Sequence, residues 1–144
     1  MGYSAFIVSI TGAETRSGDG QCGIGSKYVV YILKVVNGDR QWMCEKRYTD
    51  FVAIDNVLRS KFWSMKLPRL PSKKLFFNFD NEFVDKRRSE LEDYLKGLLQ
   101  VACFSQSDEM WTFLTHKDNI VGVPPEMQEE NEHHARALPM DDEP

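Results

Sequence analysis

Residues 27–46 leave this chain the fewest folding options. Lys27 to Val36 carries Tyr28, Val29, Val30, Tyr31, Ile32, Leu33, Val35 and Val36, a β-branched and aromatic run that favours a strand over a helix. Asn37-Gly38 follows, the pair suited to a tight turn whose two central residues both need φ > 0. Arg40 to Lys46 then reads as the return strand. Such a hairpin has an apolar face to cover, so other elements must pack on it.

The flanking sequence supplies them. Tyr3 to Thr11 alternates Phe6, Val8 and Ile10 against Ala5, Ile7, Ser9 and Thr11, which predicts a first strand. Gly12 to Ser26 is rich in glycine but has no phosphate-loop spacing and no helix after it, so it reads as a connection. A helix is expected from Tyr48 or Thr49 to Phe62, with Thr49 as cap and Asp50 in its first turn. Pro68 and Pro71 then impose an extended, polyproline-like segment. A long helix is expected from Asp80 or Asn81 to about Gln100. Its apolar stripe is Phe83, Leu91, Leu95, Leu98 and Leu99, with Tyr94 beside it. Arg87 falls on that stripe and Arg88 points away from it. Ser107 caps a last short helix to Thr115. The fold class is therefore α+β: a three-stranded antiparallel β-meander packed against a helical subdomain of three or four helices, with a polyproline segment between. Residues 1–116 form the domain, and residues 117–144 an acidic, disordered tail or linker.

Charge separates the same two parts. The chain carries a formal −4, but residues 117–144 hold eight acidic and two basic residues, so the body is weakly basic. Cys22, Cys44 and Cys103 are odd in number and far apart, which fits reduced thiols in a cytosolic setting rather than a disulfide or metal framework. No segment approaches the ~20 apolar residues of a membrane-spanning helix. The start lacks a basic n-region, and Phe6 stands where a myristoylation motif needs Ser or Thr. Membrane contact, if any, is expected to be peripheral.

Between Asp55 and Asp80 there is no acidic residue and there are six basic ones: Arg59, Lys61, Lys66, Arg69, Lys73 and Lys74. Arg47 stands where the hairpin passes into a helix, beside the unpaired N–H groups of a helix start, and its planar fork suits phosphate. Tyr48 offers a flat ring for a cyclic polyol. Arg87, on an apolar stripe, must snorkel, pair with a carboxylate or line a polar cavity. Lys73 follows the stiff Pro-Leu-Pro segment. Leu75 and Phe76 can cap the core, while Phe77 and Phe79, beside Lys73 and Lys74, suit a membrane-dipping tip.

The series Arg47-Tyr48-x-x-Phe51, Leu67-Pro68-x-Leu70-Pro71-x-Lys73 and Arg87-x-x-x-Leu91-x-x-Tyr94-Leu95 resembles the PX (phox homology) domain, as sorting nexins carry it. The resemblance covers about Tyr3 to Thr115. It implies a phosphoinositide-binding module, most often for phosphatidylinositol 3-phosphate on endosomal membranes, at work in membrane trafficking and protein transport. By that resemblance Arg47 binds the 3-phosphate, Tyr48 stacks under the inositol ring, Lys73 contacts the 1-phosphate and Arg87 bonds the 4- and 5-hydroxyls. Phe76, Phe77 and Phe79 would insert into the bilayer, with Lys66, Arg69 and Lys74 as an electrostatic rim. Arg69 replaces the family's usual proline, and Phe77 stands where a small residue is common.

The competing reading is a protein-interaction module, in which Pro68-x-x-Pro71 docks an SH3-type groove or the body of the domain binds a partner. No catalytic constellation, cofactor motif or metal-ligand cluster is expected. The basic stretch lacks the groove-entering helix of a nucleic-acid binder.

Overall fold

The computed structural model describes residues 5–18, 27–73, 79–115 and 120–121. Four strands form one antiparallel sheet: β1 (Phe6–Ser17), β2 (Lys27–Asn37), β3 (Arg40–Arg47) and β4 (Ile120–Val121), in the spatial order β1-β2-β3-β4. The helices are α1 (Tyr48–Lys61), α2 (Asn81–Leu99), α3 (Ala102–Ser105) and α4 (Asp108–Thr115). The α+β architecture, an antiparallel meander followed by helices, is the one the sequence implies.

The β2–β3 hairpin turns where expected, and Gly38 has φ 67°, a value that a side chain would strain. β1 runs six residues beyond its expected end at Thr11. The register shifts between Ile10 and Gly12, and pairing then resumes from Gly12↔Ile32 to Ser17↔Lys27. The long β2 template outweighs the local turn signals of Gly12 to Ser17. Arg16 also joins this extension to the sheet, donating to Glu45 at 2.8 Å and to Glu14 at 2.7 Å. β4 comes from the segment expected to be an unstructured tail. It pairs with β3 through Met43↔Val121 and Cys44↔Ile120, although two residues carry no readable period.

Phe6, Val8 and Ile10 are buried while Ile7 is 66% exposed, so one sheet face builds the core. It meets Phe51, Ile54 and Leu58 of α1, Leu91, Tyr94, Leu95 and Leu98 of α2, and Phe113 and Leu114 of α4. Trp42 fastens β3 to α4 by donating its indole N–H to the Leu114 carbonyl at 2.8 Å.

Helix ends follow sequence chemistry with one correction. Asp80 caps α2 by accepting from the backbone N–H groups of Glu82 and Phe83. Ser107 caps α4 by accepting from Met110 N–H at 3.1 Å. Arg47, not Thr49, is the N-cap of α1, because the helix begins directly at the end of β3. A guanidinium accepts no hydrogen bond, so it cannot cap the helix itself. Asp50 reaches back instead to accept from the Arg47 backbone N–H at 2.7 Å.

The connection at residues 66–73 is neither helix nor strand. Pro68 packs on Gly97 so closely that a Cβ there would lie 2.9 Å from the proline Cγ. A hydrogen-bond chain that runs from the core to the surface holds the same stretch: Tyr94 Oη donates to Asp55 at 2.7 Å, Arg59 Nε donates to Asp55 at 2.8 Å, and Arg59 Nη2 donates to the Pro68 carbonyl at 3.1 Å.

Candidate ligand site at the start of the first helix

Two stretches far apart in sequence meet at the first turn of α1. Arg47 and Tyr48 arrive from β3, while Pro71 and Ser72 arrive at the end of the connection. Tyr48 Oη donates to the Pro71 carbonyl, closing the two stretches on each other. Arg87 comes in from α2. Its guanidinium carbon lies 4.1 Å from the centre of the Tyr48 ring, and its Nη2 donates to the Ser72 carbonyl at 2.9 Å. Arg47 is exposed, with its guanidinium carbon 4.2 Å from the centre of the Tyr28 ring. Lys73 is exposed directly after Ser72. The four residues singled out for an anionic head group are therefore linked by contacts or by adjacency in the chain.

Opposite charges meet at the site: Arg47 and Arg87 stand near the start of α1, where the Asp50 carboxylate accepts from the Arg47 N–H at 2.7 Å. The first-turn N–H groups of α1 lie beside Arg47, with the positive end of the helix dipole. Burial pushes the Tyr48 hydroxyl above its ordinary pKa, and the nearby Arg87 charge opposes the rise. Tyr31, deeper under the site, is pushed up to about 12 by burial, again opposed by Arg87. Among the described residues no carboxylate forms an ion pair with Arg87.

A cleft of about 660 Å³ opens beside Arg87, between the connection and one face of α2. Leu70, Pro71 and Ser72 form one wall, and Phe83, Lys86 and Arg87 the other. Glu90 and Asp93 line its far end. Among the described residues, no group of three or more His, Cys, Asp or Glu side chains is placed to hold a metal ion.

The other predicted residues separate. Arg69 is exposed and lines the cleft. Lys66 lies by Pro68, which packs on Gly97, roughly 15 Å along α2 from Arg87 at ~1.5 Å per residue. Phe79 is half-buried just before the Asp80 cap. Lys74, Phe76 and Phe77 lie outside the described residues. Pro68 and Pro71 are half-buried, Leu67 is buried and Arg69 is exposed in the segment that the competing SH3-type reading singles out.

Three contributors escaped the sequence reading. In the sequence Tyr28 reads only as a strand residue. Its place follows from the Val30↔Arg47 register, which sets it diagonally beyond Arg47. The Ser72 carbonyl is a backbone group without a sequence signature. Helical spacing puts Phe83 on the core stripe, yet it lines the cleft four residues before Arg87. Arg88 was expected to point away; instead its Nη1 donates to the Ile10 carbonyl at 2.9 Å, and α2 lies across β1.

The comparisons with known proteins agree with this fold. A family profile for the PX domain matches residues 34–117. Sorting nexin-10 of Homo sapiens is 43% identical over 70 residues, covering 48% of this chain and 35% of that protein. Sorting nexin-17 of Homo sapiens is 36% identical over 106 residues, covering 74% of this chain and 21% of that protein. The chain thus spans about a third or less of these relatives' length. The X-ray structure of a designed CISK-PX domain superposes with a TM-score of 0.66 at 29% identity, covering 75% of this chain and 97% of that one. The mouse SNX19 PX domain shares the fold, with a TM-score of 0.58 at 23% identity over 77% of this chain and 97% of that one. The meander, the helices that follow it and the match over residues 34–117 lead to one assignment: this chain belongs to the PX domain family.

Proposed function

We propose that this domain is a non-enzymatic, peripheral membrane-targeting module that binds a phosphoinositide head group, phosphatidylinositol 3-phosphate before others, on the cytoplasmic face of endosomal membranes. The observation that carries the reading is Arg87. It packs on Tyr48 and bonds the Ser72 carbonyl, with no carboxylate partner among the described residues.

In this reading Arg47 takes the 3-phosphate beside the N–H groups of α1. The inositol ring packs on the half-buried Tyr48, Lys73 meets the 1-phosphate, and Arg87 bonds the 4- and 5-hydroxyls. Phe76, Phe77 and Phe79 enter the bilayer, while Arg69, Lys74 and the more distant Lys66 attract its anionic surface. Each basic side chain near such a surface adds roughly 1 kcal/mol, so the rim strengthens attachment while the pocket selects the lipid.

The test is binding to liposomes that differ only in their phosphoinositide, at fixed salt. Wild type should retain a clear preference for phosphatidylinositol 3-phosphate, and Arg47→Ala with Arg87→Ala should lose it while staying folded. A folded double variant that binds these liposomes as wild type does would refute the pocket.

A further inference from the structure

Phe83 is a large aromatic residue without a place in the core. It is half-buried in the first turn of α2 and does not belong to the cluster around Leu91, Tyr94 and Leu95, whereas its neighbour Val84 packs against that cluster. Its ring lies instead 4.9 Å from the guanidinium carbon of Arg87, one helical turn on. The Tyr48 ring lies 4.1 Å from the same carbon. The Ser72 carbonyl takes a hydrogen bond from Nη2. Two rings and one carbonyl thus hold a cation that has no ion-pair partner among the described residues.

We propose that Phe83 is a positioning residue of the head-group site: with Tyr48 and the Ser72 carbonyl it fixes the Arg87 guanidinium before ligand arrives. This inference rests on reading Arg87 as a ligand-binding residue. The physical argument is preorganisation. A free arginine must give up rotamer freedom when it binds, and an arginine already held against aromatic rings gives up less. Rings also suit the task better than a carboxylate. They attract the cation through their faces and leave its in-plane N–H groups unneutralised. Among the described residues only Nη2 has an acceptor, so Nε and Nη1 keep their donors for a polyol or phosphate. Phe83 contributes shape as well, because its ring forms part of the cleft wall beside Arg87.

The experiment uses the full chain with Phe83→Leu and Phe83→Tyr. Calorimetry follows binding of a soluble, short-chain phosphatidylinositol 3-phosphate. NMR follows the assigned Arg87 Nε–Hε resonance in the ligand-free proteins. Phe83→Leu should weaken binding about 3- to 30-fold, the range of an exposed to partly desolvated cation–π contact, and should reduce discrimination against head groups also phosphorylated at the 4 or 5 position. The Arg87 Hε proton should lose its ring-current shift in Phe83→Leu and keep it in Phe83→Tyr. Phe83→Tyr should bind within about twofold of wild type, since it keeps the ring face. The three unfolding midpoints should agree, because the ring lies off the core. If wild type binds the head group and Phe83→Leu binds it equally well, the inference is overturned. An unchanged Arg87 Hε shift in Phe83→Leu overturns it too. If wild type binds no phosphoinositide head group, the proposed function fails, and the ligand-free spectra still decide whether Phe83 orders Arg87.

Discussion

Arg88 donates a hydrogen bond from Nη1 to the backbone carbonyl of Ile10 at 2.9 Å, joining residues 78 positions apart. One turn further on, Glu92 accepts from the Ile10 N–H at 2.9 Å. Together these side chains satisfy both backbone groups of Ile10 on the outer strand of the sheet, as a neighbouring strand would. Burial raises the Glu92 carboxyl pKa, but the hydrogen bonds from Lys96 and Ile10 and the charges of Lys96 and Arg88 outweigh it, so the net shift is downward. Adjacent arginines thus take different tasks: Arg87 faces the candidate site and Arg88 fastens the helix to the sheet.

The division is testable by substitution. Arg88→Ala should lower the unfolding free energy by about 1–2 kcal/mol in urea denaturation, because the Ile10 carbonyl loses its charged donor. It should leave the affinity of the folded protein for soluble head group unchanged. Arg87→Ala should show the reverse pattern. Equal losses of affinity in both variants would mean that the two arginines act as one basic patch.

The chain from Tyr94 through Asp55 and Arg59 to Pro68 makes a second prediction. Asp55 is 7% exposed and accepts from both Tyr94 and Arg59. Asp55→Ala leaves a buried hydroxyl without its acceptor and frees the arginine that holds the Pro68 carbonyl. A loss of roughly 2–4 kcal/mol is expected, against about 1–2 kcal/mol for Tyr94→Phe, which removes one bond and strands less. Chemical denaturation of both variants under the same conditions checks the order. A smaller loss for Asp55→Ala than for Tyr94→Phe would count against the chain as a unit.

Cys44 gives a pH-dependent prediction. Its side chain is fully buried, and burial pushes the thiol from its ordinary 9.0 up to about 11. The folded state therefore keeps a proton that the unfolded state releases. The resulting stability is full below about pH 9 and is lost as pH rises towards about 11. Lys46 next to it has its pKa lowered by burial, so its contribution runs the other way, increasing as pH rises. Cys44→Ala should cost stability at neutral pH through lost packing, yet its unfolding free energy should fall less steeply than wild type across that alkaline window. Parallel slopes in the two proteins would exclude the thiol as the source.

The parts legible in the sequence were those encoded by local patterns. Asn37-Gly38 marked the hairpin, Asp80 and Ser107 marked helix starts, and the spacing of Leu91, Leu95 and Leu98 marked the buried side of α2. Arg47, Tyr48, Lys73 and Arg87 stand out as candidates because their motifs and local settings are distinctive. What stayed hidden depends on pairing at a distance. The extension of β1 to Ser17 needs the β2 template and the Arg16–Glu45 contact. The place of Tyr28 needs the β2–β3 register. The turn of Arg88 towards the sheet needs the open backbone groups of Ile10. Phe83 misled because helical spacing shows which residues share a face, but not whether the core reaches to the end of the helix.

The Tyr48–Pro71 hydrogen bond fastens the chain to itself across 23 positions. The stretch between leaves the site along α1, turns at Trp63, which is 84% exposed, and comes back along the connection. Because both ends are fastened at the site, changes of length or bulk at the turn should be absorbed there. A reporter dye or short epitope grafted at Ser64 would therefore sit at the end of the excursion away from the site, giving a handle on the protein while its reading surface stays clear.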